Sequence, residues 1–218
     1  GHDLRTPLAR MRLSIESALS RPDDADLREA LLDCAEETER IGTMLRTLMD
    51  ISEAESGILK LHLQPLEFAN LVDQTIELYR YIAEDKDIHL EMISETDSRM
   101  VADPVRLRQV LGNLLDNAIK YTENGGCVQI RWELNADRIM FEVADNGIGI
   151  SIEDQQRVFE RLYRADKSRN EPGMGLGLSL VKAVVEAHSG EIRLISQAGQ
   201  GCRVQVELPR CRSGSTSK

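Results

Sequence analysis

The sequence predicts an α+β protein in which a helical hairpin is followed by an α/β sandwich, and three observations support this prediction. Apolar residues recur every three or four positions as far as Leu48, which is typical of helices with one apolar face. After Ser56 and Gly57 this period stops, and short alternating runs mix with further helical patterns. Glycine clusters interrupt the last third of the chain. We expect a hairpin domain over residues 1–56, an α/β domain over residues 57–209 and a disordered tail over residues 210–218.

The composition narrows the class of protein. A chain of 218 residues that is 41% hydrophobic can bury a substantial core. It has no apolar run of the roughly 20 residues that a membrane span requires and no signal-peptide pattern, so we expect a soluble fragment without membrane contact. The formal net charge of −10 argues against nucleic acid as a partner. The 4 cysteines show no metal-ligand spacing, and we expect reduced thiols in a cytoplasmic protein.

Two apolar stripes separated by a turn predict the hairpin. The first helix is expected from His2 to about Leu19, and Pro22 prevents its continuation. The second stripe is close to a heptad seam and comprises Leu27, Leu31, Cys34, Thr38, Ile41, Leu45 and Leu48. Because a lone hairpin cannot bury both stripes, we expect a homodimer in which two hairpins form a four-helix bundle. The alternative is that the seam packs on the second domain of its own chain.

The second domain is predicted element by element. Residues 59–63 alternate as a strand that Pro65 ends, and helices are expected over Phe68–Asp85 and, after the capping residue Asp103, over Pro104–Tyr121. Short strands are expected near His89 and Met100. A hairpin follows at residues 128–132 and 139–143, then a helix over residues 176–188 and strands near residues 192 and 204. The glycine-bearing stretch between Phe159 and Gly177 predicts a mobile lid.

Two glycine loops and one polar helix face predict a nucleotide site. Gly173, Gly175 and Gly177 precede a predicted helix, where bare backbone and the helix N-terminus favour phosphate. The alternative for this triplet is a flexible loop or cap. The helix over residues 104–121 carries one polar face, for which a solvated surface is the alternative interpretation. Asp145 ends a strand before Gly147 and Gly149, and a simple turn aspartate is the alternative there. The polar face comprises Asn113, Asn117, Lys120 and Tyr121. Because magnesium prefers oxygen ligands, the amide of Asn117 is the candidate metal ligand.

The run His2-Asp3-Leu4-Arg5-Thr6-Pro7 contains a candidate nucleophile. A neutral imidazole has a lone pair that can attack phosphorus, and Asp3 is placed to accept the Nδ1 proton of His2 and leave Nε2 as the nucleophile. Thr6 lies one helical turn on, where its hydroxyl can orient a water molecule. Pro7 is expected to bend the helix beside the acceptor. Of the other histidines, His188 is expected to cap a helix, while His62 and His89 are placed on strands and none of the three is a catalytic candidate.

Taken together, these motifs resemble the transmitter core of bacterial two-component sensor histidine kinases over nearly the whole stretch from His2 to Pro209. The run at His2 resembles the H box of that family, and four further motifs follow in the family order. They are the N box at residues 113–121, the G1 box at residues 145–149, the F box at residues 159–164 and the G2 box at residues 173–177.

This resemblance implies a phosphoacceptor and dimerisation hairpin followed by a Bergerat ATP-binding domain, shared with DNA gyrase, the mismatch-repair ATPase and a heat-shock chaperone. It implies ATP and Mg²⁺ as ligands, autophosphorylation of His2, transfer to an aspartate on a response-regulator receiver, and a parent protein anchored in the inner membrane. Gly1 is then expected to be a cut edge rather than a true start. The implied ATP-binding residues are Asn113, Asn117, Lys120, Tyr121, Asp145, Gly147, Gly149, Phe159, Arg164, Gly173, Gly175, Leu176 and Gly177.

Three departures from the family pattern are small. Gly1 stands where serine is usual, Leu162 where phenylalanine is frequent and Met174 where a smaller residue is common. They put the packing of the lid in question, because two of them lie in the F and G2 boxes.

One position bears on the reaction. Hydrolysing relatives have a glutamate base where this chain has Asn113, and asparagine cannot take a proton at neutral pH. The sequence therefore favours transfer to a supplied nucleophile over ATP hydrolysis. Because Thr6 supports dephosphorylation of the partner in families with this motif, a transmitter acting also or mainly as a phosphatase is one alternative. A non-catalytic ATP-binding dimeric scaffold is another.

Overall fold

The computed structural model describes residues 8–16, 24–93, 98–135, 137–165 and 173–210. Helix α1 (residues 8–16) and helix α2 (Asp24–Glu55) lie side by side. Arg10 contacts Glu37 at 3.3 Å, Ser14 donates to Asp33 at 3.2 Å, and the sequence separation of each pair shows that the helices are antiparallel. The predicted hairpin is therefore confirmed for the described residues.

The strand predicted over residues 59–63 is wrong. Helix α2 ends at Glu55, and residues 58–63 have no strand partner, although their leucines alternate. Strand β1 (Gln64–Glu67) follows instead and pairs antiparallel with β3 (Arg99–Ala102), so that Pro65 lies inside a strand. A strand is defined by its partner, and a two-stranded ribbon has an edge where proline is tolerated.

The main sheet has five strands in the order β2-β4-β5-β7-β6. They are β2 (His89–Ile93), β4 (Cys127–Leu134), β5 (Arg138–Asp145), β6 (Glu191–Ser196) and β7 (Cys202–Pro209). Strands β2 and β4 are parallel, and the other neighbours are antiparallel. The register brings the end of β5, at Asp145, opposite Cys202 at the start of β7. This pairing places the G1 loop beside the β6–β7 turn.

Three longer helices cover one face of the sheet: α3 (Phe68–Asp85), α4 (Pro104–Tyr121) and α6 (Gly177–Ala187). A short helix, α5 (Ile152–Gln155), was not predicted. The predicted alternation in β4 and β5 is confirmed, because Val128, Ile130 and Trp132 are buried together with Phe141, which packs on Phe68 with ring centroids 4.9 Å apart. The sandwich therefore has one core between helices and sheet.

The buried apolar face of α2 is offset from the predicted seam. Met44 and Ile51 are buried in the same core as the α/β domain, where α2 contacts α6. Asp50 accepts a hydrogen bond from Arg106 of α4 at 2.7 Å, and Glu55 pairs with Arg161. Of the predicted seam, Leu48 packs against this core, whereas Leu45 and, nearer the start of the helix, Leu31 are exposed. The alternative packing on the chain's own second domain thus holds at Leu48, and the exposed seam leucines offer a bare apolar face.

Among the described helices, none is long and apolar enough to cross a membrane. Cys34, Cys127 and Cys202 are free thiols, and Cys211 lies outside the described residues. The tail predicted over residues 210–218 is described only at Arg210, which donates a backbone hydrogen bond to Asp137 at 2.7 Å. The domain boundaries at residues 56 and 209 stay predictions.

Candidate functional site

Helix α4 presents the polar face that the sequence predicted. Asp103 caps its N-terminus by accepting from the backbone N–H groups of Val105 at 3.0 Å and Arg106 at 3.1 Å, and Pro104 occupies the first turn. The buried leucines of α4 face the core, which leaves Asn113, Asn117 and Lys120 half-buried on one side. The cap thereby fixes where the polar face begins.

The two asparagines of α4 contact the start of α6. The Nδ2 atom of Asn113 donates to the carbonyl of Gln109 at 2.7 Å, so its Oδ1 atom points to Gly177. A Cβ atom at position 177 would lie 2.9 Å from that oxygen and 3.5 Å from Nδ2 of Asn117. A side chain at position 177 would displace the Asn113 amide, and the N box and the G2 box therefore meet at Gly177.

Asp145 stands at the end of β5 in a half-buried position. Its Oδ1 atom accepts from the backbone N–H groups of Gly147 at 2.9 Å and Cys202 at 3.2 Å. Burial raises the pKa of the Asp145 carboxyl, although the two N–H donors act in the opposite direction. Because both of these N–H donors reach Oδ1, the second carboxylate oxygen, Oδ2, is the one placed to read a ligand.

The G1 loop is packed against the end of α4. Ile148 donates its backbone N–H to the carbonyl of Tyr121 at 3.1 Å, and a Cβ atom at Gly147 would collide with that same carbonyl. Tyr121 is half-buried beside Lys120, whose Nζ atom lies 4.8 Å from the centroid of the Tyr121 ring. The G1 loop that follows Asp145 therefore packs on the end of α4 beside Tyr121 and Lys120.

Sequence reasoning missed a second support of the G1 loop. The hydroxyl of Ser196 accepts from the backbone N–H of Ile150 at 2.8 Å and donates to the carbonyl of Gly201 at 2.7 Å. Gln155 of α5 donates to the carbonyls of Ile150 and Ser196, each at 2.9 Å. Gly149 lies directly against the same turn. These partners are distant in sequence, so only α5 had a local signal, the Ser151-x-x-Asp154 capping pattern.

The F box and the G2 box meet at the base of the predicted lid. Leu162 donates its backbone N–H to the carbonyl of Gly175 at 2.9 Å, and Arg164 donates to the carbonyl of Gly173 at 3.0 Å. Phe159 is half-buried, and Leu176 is buried in the core. The lid itself, residues 166–172, lies outside the described residues.

The phosphate end of the cleft is marked by Lys120 and Gly173. A Cβ atom at position 173 would lie 2.9 Å from the Nζ atom of Lys120, so the bare backbone of the G2 loop approaches this ammonium. The N box therefore contacts the G1 box at Tyr121 and the G2 box at Gly173 and Gly177, and the F box contacts the G2 box at Gly175. We call the region between these boxes the candidate cleft. The H-box candidates His2, Asp3 and Thr6 lie outside the described residues.

The donor set at this cleft fits magnesium. The described residues contain no group of three or more His, Cys, Asp or Glu side chains that could hold a metal ion. The amides of Asn113 and Asn117 provide neutral oxygen ligands instead. Magnesium is commonly bound by one or two protein oxygens together with substrate phosphates and water, so this sparse set suits a metal that arrives with a nucleotide.

His188 caps α6, as predicted, and also joins it to α4. Its Nε2 atom accepts from the backbone N–H of Asp103 at 3.2 Å. Because a backbone N–H can only donate, the ring proton is on Nδ1, which donates to the carbonyl of Val184 at 2.9 Å. Burial lowers the pKa of His188, which favours the neutral ring. His89 lies on β2 as predicted, but His62 lies in the segment without a strand partner.

Comparisons with known proteins identify the family of the chain. The family model described as "Histidine kinase-, DNA gyrase B-, and HSP90-like ATPase" matches residues 102–212. The model described as "His Kinase A (phospho-acceptor) domain" matches residues 1–57. The sensor protein kinase PmrB of Pseudomonas aeruginosa is 36% identical over 99% of this chain and 45% of its own length. The chain spans about half the length of the curated relatives it matches.

Two solved structures have the same fold. Full-length ShkA in complex with AMPPNP is 26% identical, with a TM-score of 0.76 over 98% of this chain and 45% of that chain. Histidine kinase ThkA in complex with the response regulator protein TrrA is 21% identical, with a TM-score of 0.74 over 98% of this chain and 60% of that chain. At 21% identity the likeness concerns the fold alone.

Proposed function

The chain belongs to the two-component sensor histidine kinases, and we propose that it transfers the γ-phosphoryl group of ATP to His2. One observation carries this proposal: the polar face of α4 contacts the G1 loop at Tyr121 and the G2 loop at Gly173 and Gly177, where Asn113 and Asn117 lie. The nucleotide analogue in the ShkA complex supports the choice of ligand.

Each side of the cleft has a role in this proposal. The Oδ2 atom of Asp145 accepts from the exocyclic amino group of adenine, and the raised pKa of this carboxyl reflects its burial. Lys120 and Arg164 face the phosphates, with the G2 backbone as a further source of N–H donors. Tyr121, Gly147 and Gly149 shape the pocket, while Phe159 and Leu176 anchor the lid. Gly175 joins the two ends of the lid.

Asn117 is the proposed magnesium ligand, with Asn113 beside it. The bound metal ion would neutralise charge on the phosphates. The protein contributes fixed geometry: Asn113 is held by its bond to Gln109, and Gly177 keeps the space beside both amides open. Since Asn113 cannot act as a base for water, the site lacks the group that hydrolysis would require at this position.

The acceptor chemistry uses the neutral imidazole of His2. The Nε2 lone pair forms the new bond to the γ-phosphorus as the bond to the β,γ-bridging oxygen breaks, and ADP departs with that oxygen. Asp3 holds the Nδ1 proton and stabilises the positive charge that the ring acquires. We further propose that Thr6 orients a water molecule for dephosphorylation of the partner.

Two partners complete the proposal. A second copy of the chain would cover the bare apolar face of α2 and build the four-helix bundle. The phosphoryl group then passes to an aspartate on the receiver domain of a response regulator, which is the kind of protein bound to ThkA. A parent protein with a membrane-bound sensor is part of the same proposal.

Incubation with Mg²⁺ and ATP labelled at the γ-phosphate tests the transfer. The chain is expected to acquire label that is acid-labile and alkali-stable, as a phosphoimidazole is, and His2→Ala is expected to acquire none. His62→Ala is the matched control, because this histidine is remote in sequence from the H box. If His2 is the acceptor, the His62→Ala variant is still labelled. Labelling that persists in His2→Ala would refute the assignment.

A further inference from the structure

A cavity of about 530 Å³ adjoins the phosphate end of the cleft, between α2, α3, α4 and the G2 loop. Lys120 and Gly173 border both spaces. The far wall is formed by Arg40, which belongs to α2 and therefore to the hairpin. The space beside the proposed phosphate-binding residues is thus bordered by both parts of the chain.

The position of Arg40 follows from the way α2 runs along α4. Asp50 of α2 bonds to Arg106 near the start of α4, and Arg40 reaches the cavity beside Lys120 near the end of α4. The two helices are therefore antiparallel along the polar edge of α4. Ten residues of α2 span about 15 Å, enough to place Arg40 at the phosphate end when Asp50 is fixed at the other.

The charges around the cavity favour an anion. Arg40, Lys86 and Lys120 provide three cations against one carboxylate, Asp116, in a chain whose net charge is −10. Lys86 is fixed in place because its Nζ atom donates to the carbonyls of Ile119 at 2.9 Å and Lys120 at 3.1 Å. Closely spaced cations beside a partly enclosed space attract phosphate oxygens.

Arg40 is only loosely held. Its Nη1 atom lies 3.7 Å from Oε1 of Glu37, and Arg10 lies nearer to that same oxygen, at 3.3 Å. The side chain of Arg40 is 40% exposed, so exchanging this ion pair for a phosphate contact costs little. Glu37 keeps a cationic partner when Arg40 turns away.

We propose that Arg40 of α2 binds the terminal phosphate of the nucleoside triphosphate held in the cleft, so that the phosphate site is completed by the hairpin domain. This inference rests on the proposed function. It makes α2 a sensor of the γ-phosphate: a diphosphate ends short of Arg40, whereas a triphosphate links α2 to Lys120 and the G2 loop.

Calorimetric titration of the native chain and its variants with Mg²⁺ plus either ADP or the β,γ-imido analogue of ATP tests this inference. Arg40→Ala is expected to weaken binding of the triphosphate analogue about tenfold and to change ADP binding less than about twofold, since a charged hydrogen bond is lost only with the former. Arg40→Lys keeps the charge and is expected to retain part of the preference for the triphosphate analogue over ADP. Arg46→Ala is the control, because Arg46 lies on the same helix and pairs with Glu39 at 2.9 Å.

Unchanged affinity for the triphosphate in Arg40→Ala overturns the inference, and so does an equal loss for both nucleotides or the same loss in Arg46→Ala. A native chain that binds neither nucleotide refutes the proposed function together with the inference. A native chain that binds both and is indifferent to Arg40 refutes the inference alone. Thermal unfolding of each variant identifies any that fails to fold.

Discussion

Two apolar faces of α2 differ in what covers their side chains. Leu27, Leu31 and Leu45 on the predicted seam are 46%, 62% and 48% exposed, whereas Met44 and Ile51 on the other face are 4% and 0% exposed. The α/β domain covers the second face, where α2 contacts α6. One helix thus has two environments: a core complete within the chain, and an exposed apolar face that the proposed dimer would cover. The difference predicts that equal substitutions have unequal effects.

The largest effect is expected in the complete core. Leu111 of α4 is fully buried, so Leu111→Ala is expected to lower the free energy of unfolding by about 2 to 5 kcal/mol through lost burial and a cavity. Leu31→Ala removes the same atoms from an exposed position and is expected to cost less than about 1 kcal/mol in dilute monomer. Urea unfolding at low protein concentration measures both. A comparable loss in the two variants would show that the start of α2 is already covered within one chain.

The second effect concerns association. Leu31→Asp puts a carboxylate into the proposed bundle seam, and we expect the dimer dissociation constant to rise at least about tenfold because a buried charge is poorly compensated. Leu78→Asp is the matched control, since Leu78 is also exposed, at 68%, but lies on α3. Sedimentation velocity gives the dissociation constants. Equal weakening by Leu78→Asp, or none by Leu31→Asp, would contradict a dimer built on this face.

The smallest effect concerns the pH dependence of stability, and it arises only in the core of the α/β domain. Because burial lowers the pKa of His188 in the folded state, the unfolded chain takes up the proton first as pH falls below the ordinary value of 6.5, and stability declines from there to the folded pKa. His188→Gln is expected to remove this decline, because glutamine can still accept from Asp103 but does not titrate. Melting temperatures between pH 5 and 8 measure it, with His89→Gln on the exposed end of β2 as the control. A native profile that is flat, or that His89→Gln alters equally, would count against this role of His188.

Asp103 is expected to affect stability at lower pH than His188, so the contributions of the two residues can be told apart. Burial acts to raise the pKa of its carboxyl, but the N–H donors of His62, Arg106 and Val105 together with His188 hold that pKa below its ordinary value of 3.8. Its contribution is present above 3.8 and is lost only as pH falls through the folded value.

Local signals predicted most elements of the α/β domain because their patterns are themselves local. Asp103 and Pro104 give the start of α4, and the alternation in β4 and β5 gives a hairpin whose inward residues are buried. The strand expected over residues 59–63 failed for the opposite reason, since pairing with β3 selected Gln64–Glu67 instead. The candidate cleft was predicted in the same way, residue by residue, from motifs that are contiguous in sequence. Two contacts that support the cleft could not be predicted: Ser196 with Ile150 and His188 with Asp103, whose members lie 46 and 85 residues apart.

The sequence by itself determined the order of the motifs, the helical hairpin, the polar face of α4 and the family, because each depends on spacing along a chain whose helices and strands have fixed periods. Tertiary structure decided that the G2 loop meets α4 at Gly177, where β1 pairs, which face of α2 is buried, and that Arg40 and Lys120 line one cavity. Those features arise from contacts between segments far apart in sequence, and the packing of the whole core selects them.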